Sequence, residues 1–139
     1  MQVADVMVKS VETVPPETTV KAAVERMLDR RIGSILVVDE GPIGIITRSD
    51  VLRELLDRDG SLTKMTVSEI MTEDPVTIAP GASVETALRT MDEHDIKKLP
   101  VIAGLELVGI VTMTDLARHL PDRVNELRST FRRREDWTR

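Results

Sequence analysis

The sequence predicts an α+β protein made of two β-α-β-β-α repeats followed by a C-terminal helix. Three observations predict it. The 139 residues are 41% apolar and 31% charged, a globular composition. Residues 3–52 and 67–117 repeat one another at an offset of 64, which becomes 65 after one turn. Within each copy the apolar period passes from helical to strand-like and back in the same order.

The repeat is legible residue by residue. At an offset of 64, Val3 meets Val67, Met7 meets Met71, Thr13 meets Thr77, Pro16 meets Pro80, Val20 meets Val84, Met27 meets Met91 and Val37 meets Val101. At 65, Gly44 meets Gly109, Thr47 meets Thr112 and Asp50 meets Asp115. One inserted residue is what a loop absorbs.

In each copy a short extended piece, Thr13-Val14 or Thr77-Ile78, stops near prolines, which disfavour helix in the residue before them. An amphipathic helix follows. Val20, Ala23, Val24, Met27 and Leu28 recur at helical spacing, echoed by Val84, Ala87, Leu88 and Met91. Thr18 or Thr19, and Ser83, are the candidate N-caps. Two apolar runs come next, Ile35–Val38 with Pro42–Ile46 and Leu99–Ile102 with Leu107–Val111, each pair separated by a polar turn as in a hairpin. A second helix is predicted to start at Ser49 and at Thr114, with Val51, Leu52, Leu55 and Leu56 as its buried stripe in the first copy. The expected boundaries are 1–60, 61–121 and a tail at 122–139, with a linker over Arg58–Thr66 broken by Asp-Gly-Ser. One such unit buries too little to be stable alone, so two copies in one chain are expected to share a core.

Composition removes several function classes. There is no cysteine, which excludes disulfides, thiolate zinc sites and a cysteine nucleophile. His94 and His119 have no metal-ligand spacing. Phe131 and Trp137 are the only aromatics, too few for a base-stacking platform, and a net charge of −5 repels phosphate backbones, so nucleic acid is not an expected partner. No run approaches the ~20 apolar residues that span a bilayer. No basic leader with an apolar run opens the chain, so a cytoplasmic protein is the expectation. Nor is there a P-loop, a His–carboxylate pair or an activated nucleophile, so catalysis is not expected and no cofactor is called for.

The segment Gly-Ile-Ile-Thr-Arg-Ser-Asp at 44–50 carries the chemistry. A buried strand ends at Thr47 as a helix begins, a junction rich in free backbone N–H groups that favours anions. Thr47 and Ser49 add hydroxyls. Asp50 is placed either to cap the helix or to accept two hydrogen bonds from a ribose diol. Thr112, Thr114 and Asp115 repeat the arrangement.

These segments, with the openings Ala-Asp-Val-Met and Ser-Glu-Ile-Met, the pieces Thr-Val-Pro-Pro and Thr-Ile-Ala-Pro, and Lys-Lys-Leu-Pro-Val-Ile opposite Gly-Ser-Ile-Leu-Val-Val, resemble the tandem cystathionine-β-synthase (CBS) domain pair over residues 1–120. The resemblance implies repeats packed by pseudo-twofold symmetry, with two clefts that take adenosine-type ligands: AMP, ADP, ATP or S-adenosylmethionine. It implies a non-catalytic module that relays ligand state to a partner, and a homodimer through the helices. Carried over, cleft one uses Thr47, Arg48, Ser49 and Asp50 with Thr77, Ile78, Ala82, Lys97, Lys98, Leu99 and Pro100. Cleft two uses Thr112, Thr114 and Asp115 with Thr13, Val14, Thr18, Ser34 and Ile35.

The two clefts differ in charge. Cleft one gathers Arg48, Lys97 and Lys98, whereas the equivalents in cleft two are Met113, Gly33 and Ser34. Charge-assisted bonds to phosphate are the stronger ones, so cleft one is expected to take the more phosphorylated ligand. Leu36 stands where the family often has the proline seen at Pro100, a departure in cleft two. The tail carries six arginines, four acidic residues and an apolar stripe of Val124, Leu127 and Phe131, and is expected to be a helix docked on the body or on a dimer partner. With no effector domain visible, regulation is expected in trans. The rival reading is a ligand-poor interaction and dimerisation module.

Overall fold

Thr19 and Ser83 start the two long helices as their side chains predict: each accepts a hydrogen bond from the backbone N–H three residues on, Ala22 and Thr86 respectively. Such a cap contributes about 1 kcal/mol. The computed structural model describes residues 1–58 and 62–120; the Asp-Gly-Ser break and the expected tail helix lie outside the described residues. The elements are α1 (Val3–Val6), β1 (Thr13–Val14), α2 (Val20–Arg30), β2 (Ser34–Val38), β3 (Pro42–Thr47), α3 (Arg48–Asp57), α4 (Val67–Ile70), β4 (Thr72–Glu73), α5 (Val84–His94), β5 (Lys98–Ala103), β6 (Glu106–Thr112) and α6 (Met113–Ala117). The α+β class is as the sequence predicts, and so is the β-α-β-β-α order in the first copy; in the second, the strand before the long helix is Thr72–Glu73 and not Thr77-Ile78.

Both expected hairpins form. β2 pairs antiparallel with β3, and β5 with β6, each with one irregularity, at Val37/Val38 and at Val101/Ile102. β1 runs parallel to β2. In the second copy the same pairing shrinks to a bridge between Ile78 and Val101.

The compact units are cut differently from the sequence repeats. One consists of Ser10–Pro75; the other joins Met1–Lys9 to the chain from Val76 onward. The openings of the repeats are exchanged. β4, from the second opening, pairs with β3 through Gly44–Glu73 and Ile45–Thr72. Val8, from the first opening, pairs with Ile110 of β6 through two hydrogen bonds of 2.8 and 2.9 Å. The short helices α1 and α4, which the periodicity does not announce, dock through their N-termini: Val3 N–H donates to the Ala82 carbonyl, and Val67 N–H to that of Thr18.

Gly44 and Gly109 are where these segments cross the strands. A Cβ at Gly109 would lie 2.7 Å from Met7 Sδ and 2.9 Å from the Val8 carbonyl oxygen, and one at Gly44 would meet Met71 in the same way. The glycines and the methionines of the two openings are therefore one packing device, used once in each unit.

Among the described residues, all the buried apolar side chains but Leu36 and Pro100 fall into two clusters, one in each unit. Val14, Val20, Ala23, Met27, Ile35, Val37, Ile46, Val51, Leu62, Val67 and Ile70 make the first. Val3, Ile78, Val84, Ala87, Leu88, Met91, Leu99, Val101, Val111, Met113 and Leu116 make the second. Leu62 shows that the expected linker contributes to a core.

The stripe expected on the second helix needs correction. Of Val51, Leu52, Leu55 and Leu56, only Val51 is buried; Leu52 is 63% and Leu56 83% exposed, with Leu55 at 39%. The capping residues at the start of α3 turn Asp50, Val51 and the half-buried Glu54 inward. At 100° per residue that leaves Leu52 and Leu56 on the opposite side. Among the described residues, no helix is long and apolar enough to cross a membrane.

Candidate functional site

Each repeat turns from strand to helix at its Thr-x-x-Asp, and each turn closes by a capping box. At the first corner, Asp50 N–H donates to Thr47 Oγ1 at 3.2 Å, and Thr47 N–H donates to Asp50 Oδ2 at 2.9 Å. At the second, Asp115 N–H donates to Thr112 Oγ1 at 3.2 Å, and Thr112 N–H to Asp115 Oδ2 at 2.9 Å. Threonine, not the serine or threonine two places on, is the N-cap, and the helices begin at Arg48 and Met113. Two orphan donors are satisfied reciprocally, the usual gain of this motif. The box occupies the threonine oxygen and one carboxylate oxygen. The other carboxylate oxygen lies outside the box.

The strand ladder brings further expected residues to each corner. Arg48 N–H donates to the Gly33 carbonyl at 3.1 Å, and Met113 N–H to that of Lys97 at 2.8 Å. Ser34 stands across from Thr47, and Lys98 across from Thr112. Leu99 and Pro100 continue β5 opposite Val111 and Ile110.

Thr13 and Val14 lie in β1 beside Leu36 and Val37, and Arg26 Nη1 donates to the Thr13 carbonyl at 2.9 Å. Ile78 brackets β5, donating to the Pro100 carbonyl and accepting from Ile102 N–H. Thr18 and Ala82 are half-buried and take part through their carbonyls, as described above. Val14, Ile35, Ile78, Leu99 and Pro100 are buried, whereas Ser49, Thr77, Lys97 and Thr114 are exposed. Within one unit the structure thus brings Thr47, Arg48, Ser49 and Asp50 together with Thr13, Val14, Thr18, Ser34 and Ile35. Within the other it brings Thr112, Thr114 and Asp115 together with Thr77, Ile78, Ala82 and Lys97–Pro100. The set expected for each cleft divides between the two units.

The corners differ in two ways. Arg48 is exposed, and its guanidinium lies against Gly33: a Cβ there would be 2.9 Å from Nη2, 3.2 Å from Nε and 3.4 Å from Cζ. Met113, its counterpart, turns into the core of its own unit. The second difference is Arg53, which sequence reasoning missed. Its Nη2 lies 2.9 Å from Asp50 Oδ1. The acid–base spacing of three on a helix was the available signal. Arg118 occupies the matching place after Asp115, yet among the described residues Asp115 accepts only from Thr112, whose Oγ1 also lies 2.9 Å from Oδ2. Among the described residues, no three His, Cys, Asp or Glu side chains are placed to hold a metal ion.

A family model described as the CBS domain matches residues 3–57 and again 67–122. The CBS domain-containing protein YhcV of Bacillus subtilis (strain 168) is 38% identical over 118 residues, 83% of this chain and 82% of that protein. Among solved structures, the CBS domain pair of protein MJ0100, in complex with 5′-methylthioadenosine and S-adenosyl-L-methionine, is similar with a TM-score of 0.76 at 26% identity, over 88% of this chain and 98% of that one. CBSX2 in complex with AMP is similar with a TM-score of 0.73 at 26% identity, over 84% and 93%. Two family matches in register with the internal repeat, on an α+β fold with the same pair of corners, leave one conclusion: the chain belongs to the CBS domain family and carries two CBS domains.

Proposed function

We propose that this chain is a non-catalytic regulatory module that binds adenosine-type ligands and relays their presence to a partner protein. The observation that carries the reading is the duplicated Thr-x-x-Asp corner, built with the same two reciprocal capping bonds in both units and leaving one carboxylate oxygen beyond the capping box. A ribose diol presents two adjacent hydroxyl donors, which suits a carboxylate acceptor. The complexes of MJ0100 with adenosyl compounds and of CBSX2 with AMP support the ligand class. Arg48, whose guanidinium lies beside the first corner, favours a phosphorylated ligand at Asp50.

Thermal unfolding tests this with AMP, ADP, ATP, S-adenosylmethionine and guanine nucleotides, on the native chain and on Asp50→Ala and Asp115→Ala. A ligand at ~100 times its dissociation constant adds about 2.7 kcal/mol, a rise on the order of 10 °C for a chain of this size. Each alanine also removes half a capping box, costing about 1 kcal/mol, so the ligand-induced rise within each variant is the readout. The expected result is a rise with adenine compounds, with the AMP response lost in Asp50→Ala more than in Asp115→Ala. Flat curves for every ligand on a folded chain overturn the proposal.

A second reading, an interaction and dimerisation module, rests on the exposed leucines of α3. It predicts self-association without any ligand.

A further inference from the structure

We infer that Arg53 is a built-in competitor for the ligand at the Asp50 corner, so that the two corners differ in how readily they accept a ribose diol. The inference rests on the function proposed above and assigns a role to a residue outside the expected site.

Asp50 is 8% exposed, and both of its oxygens are engaged: Oδ2 by Thr47 N–H, and Oδ1 by the Arg53 guanidinium at 2.9 Å. A diol that donates two hydrogen bonds to this carboxylate meets Oδ1 with one lone pair already taken by Arg53, and competes with the guanidinium for that oxygen. The displaced side chain is 71% exposed and moves into water without unmaking any core contact. The competition is therefore with an ion pair whose arginine end is in solvent and whose aspartate end is buried. At the other corner both donors to Asp115 go to Oδ2 and both come from Thr112, so among the described residues Oδ1 has no donor to be displaced. Arg118 is present in sequence but is not drawn onto the carboxylate. The same capping box thus presents one carboxylate with its outer oxygen covered and one with it open.

Adenosine is the probe, because it carries the diol and no phosphate or net charge. Titration calorimetry on Asp115→Ala reports the Asp50 corner, and on Asp50→Ala the Asp115 corner. Adding Arg53→Gln to the first background is expected to tighten adenosine about two- to fivefold, the range for a pair whose arginine stays in solvent. Adding Arg118→Gln to the second is expected to change nothing. Salt supplies a readout that a merely structural role would not move. Screening weakens the Asp50–Arg53 pair, so adenosine at this corner tightens as sodium chloride is raised, and the trend disappears in Arg53→Gln.

If an alanine background does not fold, Arg53→Gln in the otherwise native chain must tighten the weaker of two adenosine sites. Unchanged or weaker adenosine binding in Arg53→Gln, where the native chain binds, overturns this inference alone. No adenosine binding in any folded form overturns it together with the proposed function.

Discussion

Replacing Gly33 by alanine separates recognition of phosphate from recognition of the nucleoside. The new Cβ would stand 2.9 Å from Arg48 Nη2 and 3.2 Å from Nε, inside ordinary contact distance, so the guanidinium must leave its place against residue 33. Its far end is exposed and flexible, and the fold itself has no reason to suffer. The backbone at 33 is not in the left-handed region, so alanine is tolerated there and stiffens the unfolded chain. A hydrogen bond from arginine to a charged group is worth about 1.5–3 kcal/mol, a ceiling of roughly 10- to 100-fold in affinity. Arg48→Ala measures that ceiling directly. Because the displaced guanidinium retains some reach, Gly33→Ala is expected to weaken AMP about tenfold while leaving adenosine within about twofold. Calorimetric titration of both ligands, beside a melting curve for each variant, is the assay. AMP affinity equal to the native value, or an equal loss for adenosine and AMP, would refute the reasoning that places phosphate recognition on Arg48.

Two further predictions probe the scaffold. Gly109→Ala drives a Cβ onto the Val8 carbonyl, which is backbone and cannot swing aside, so the exchanged segment Met1–Lys9 must lift from β6. Overpacking of this kind costs about 1–3 kcal/mol, a fall in melting temperature of roughly 4–12 °C, and an unchanged curve would argue against the exchange. For the α3 face, Leu52→Glu with Leu56→Glu should leave stability within about 0.5 kcal/mol, since both side chains are exposed. If that face joins two copies, sedimentation must show the native chain at twice the mass of the double variant; equal masses remove α3 as an interface.

The hairpins, the two long helices and their caps were readable in the chain because each depends on neighbours within a few residues. Thr19 and Ser83 cap by reaching three residues on, and short apolar runs split by a polar turn mark β2 with β3 and β5 with β6. The internal repeat added what local pattern cannot, by showing that Thr47 with Asp50 and Thr112 with Asp115 are equivalent corners.

What only the tertiary structure decided was partnership at long range. The openings with Met7 and Met71 carry no periodicity of their own; their helices are four residues long and gain their meaning from Gly109 and Gly44. Which way α3 faces was misjudged for the same reason. A run of leucines reports only that a face is apolar, and the capping box at Thr47 and Asp50 sets which face turns inward. The contrast between Asp50 and Asp115 is finer still. Arginine follows each aspartate by three, yet only Arg53 closes on its carboxylate. Sequence determines which groups are available at a corner, but a hydrogen bond forms only where distance and direction allow, and those are properties of the folded chain.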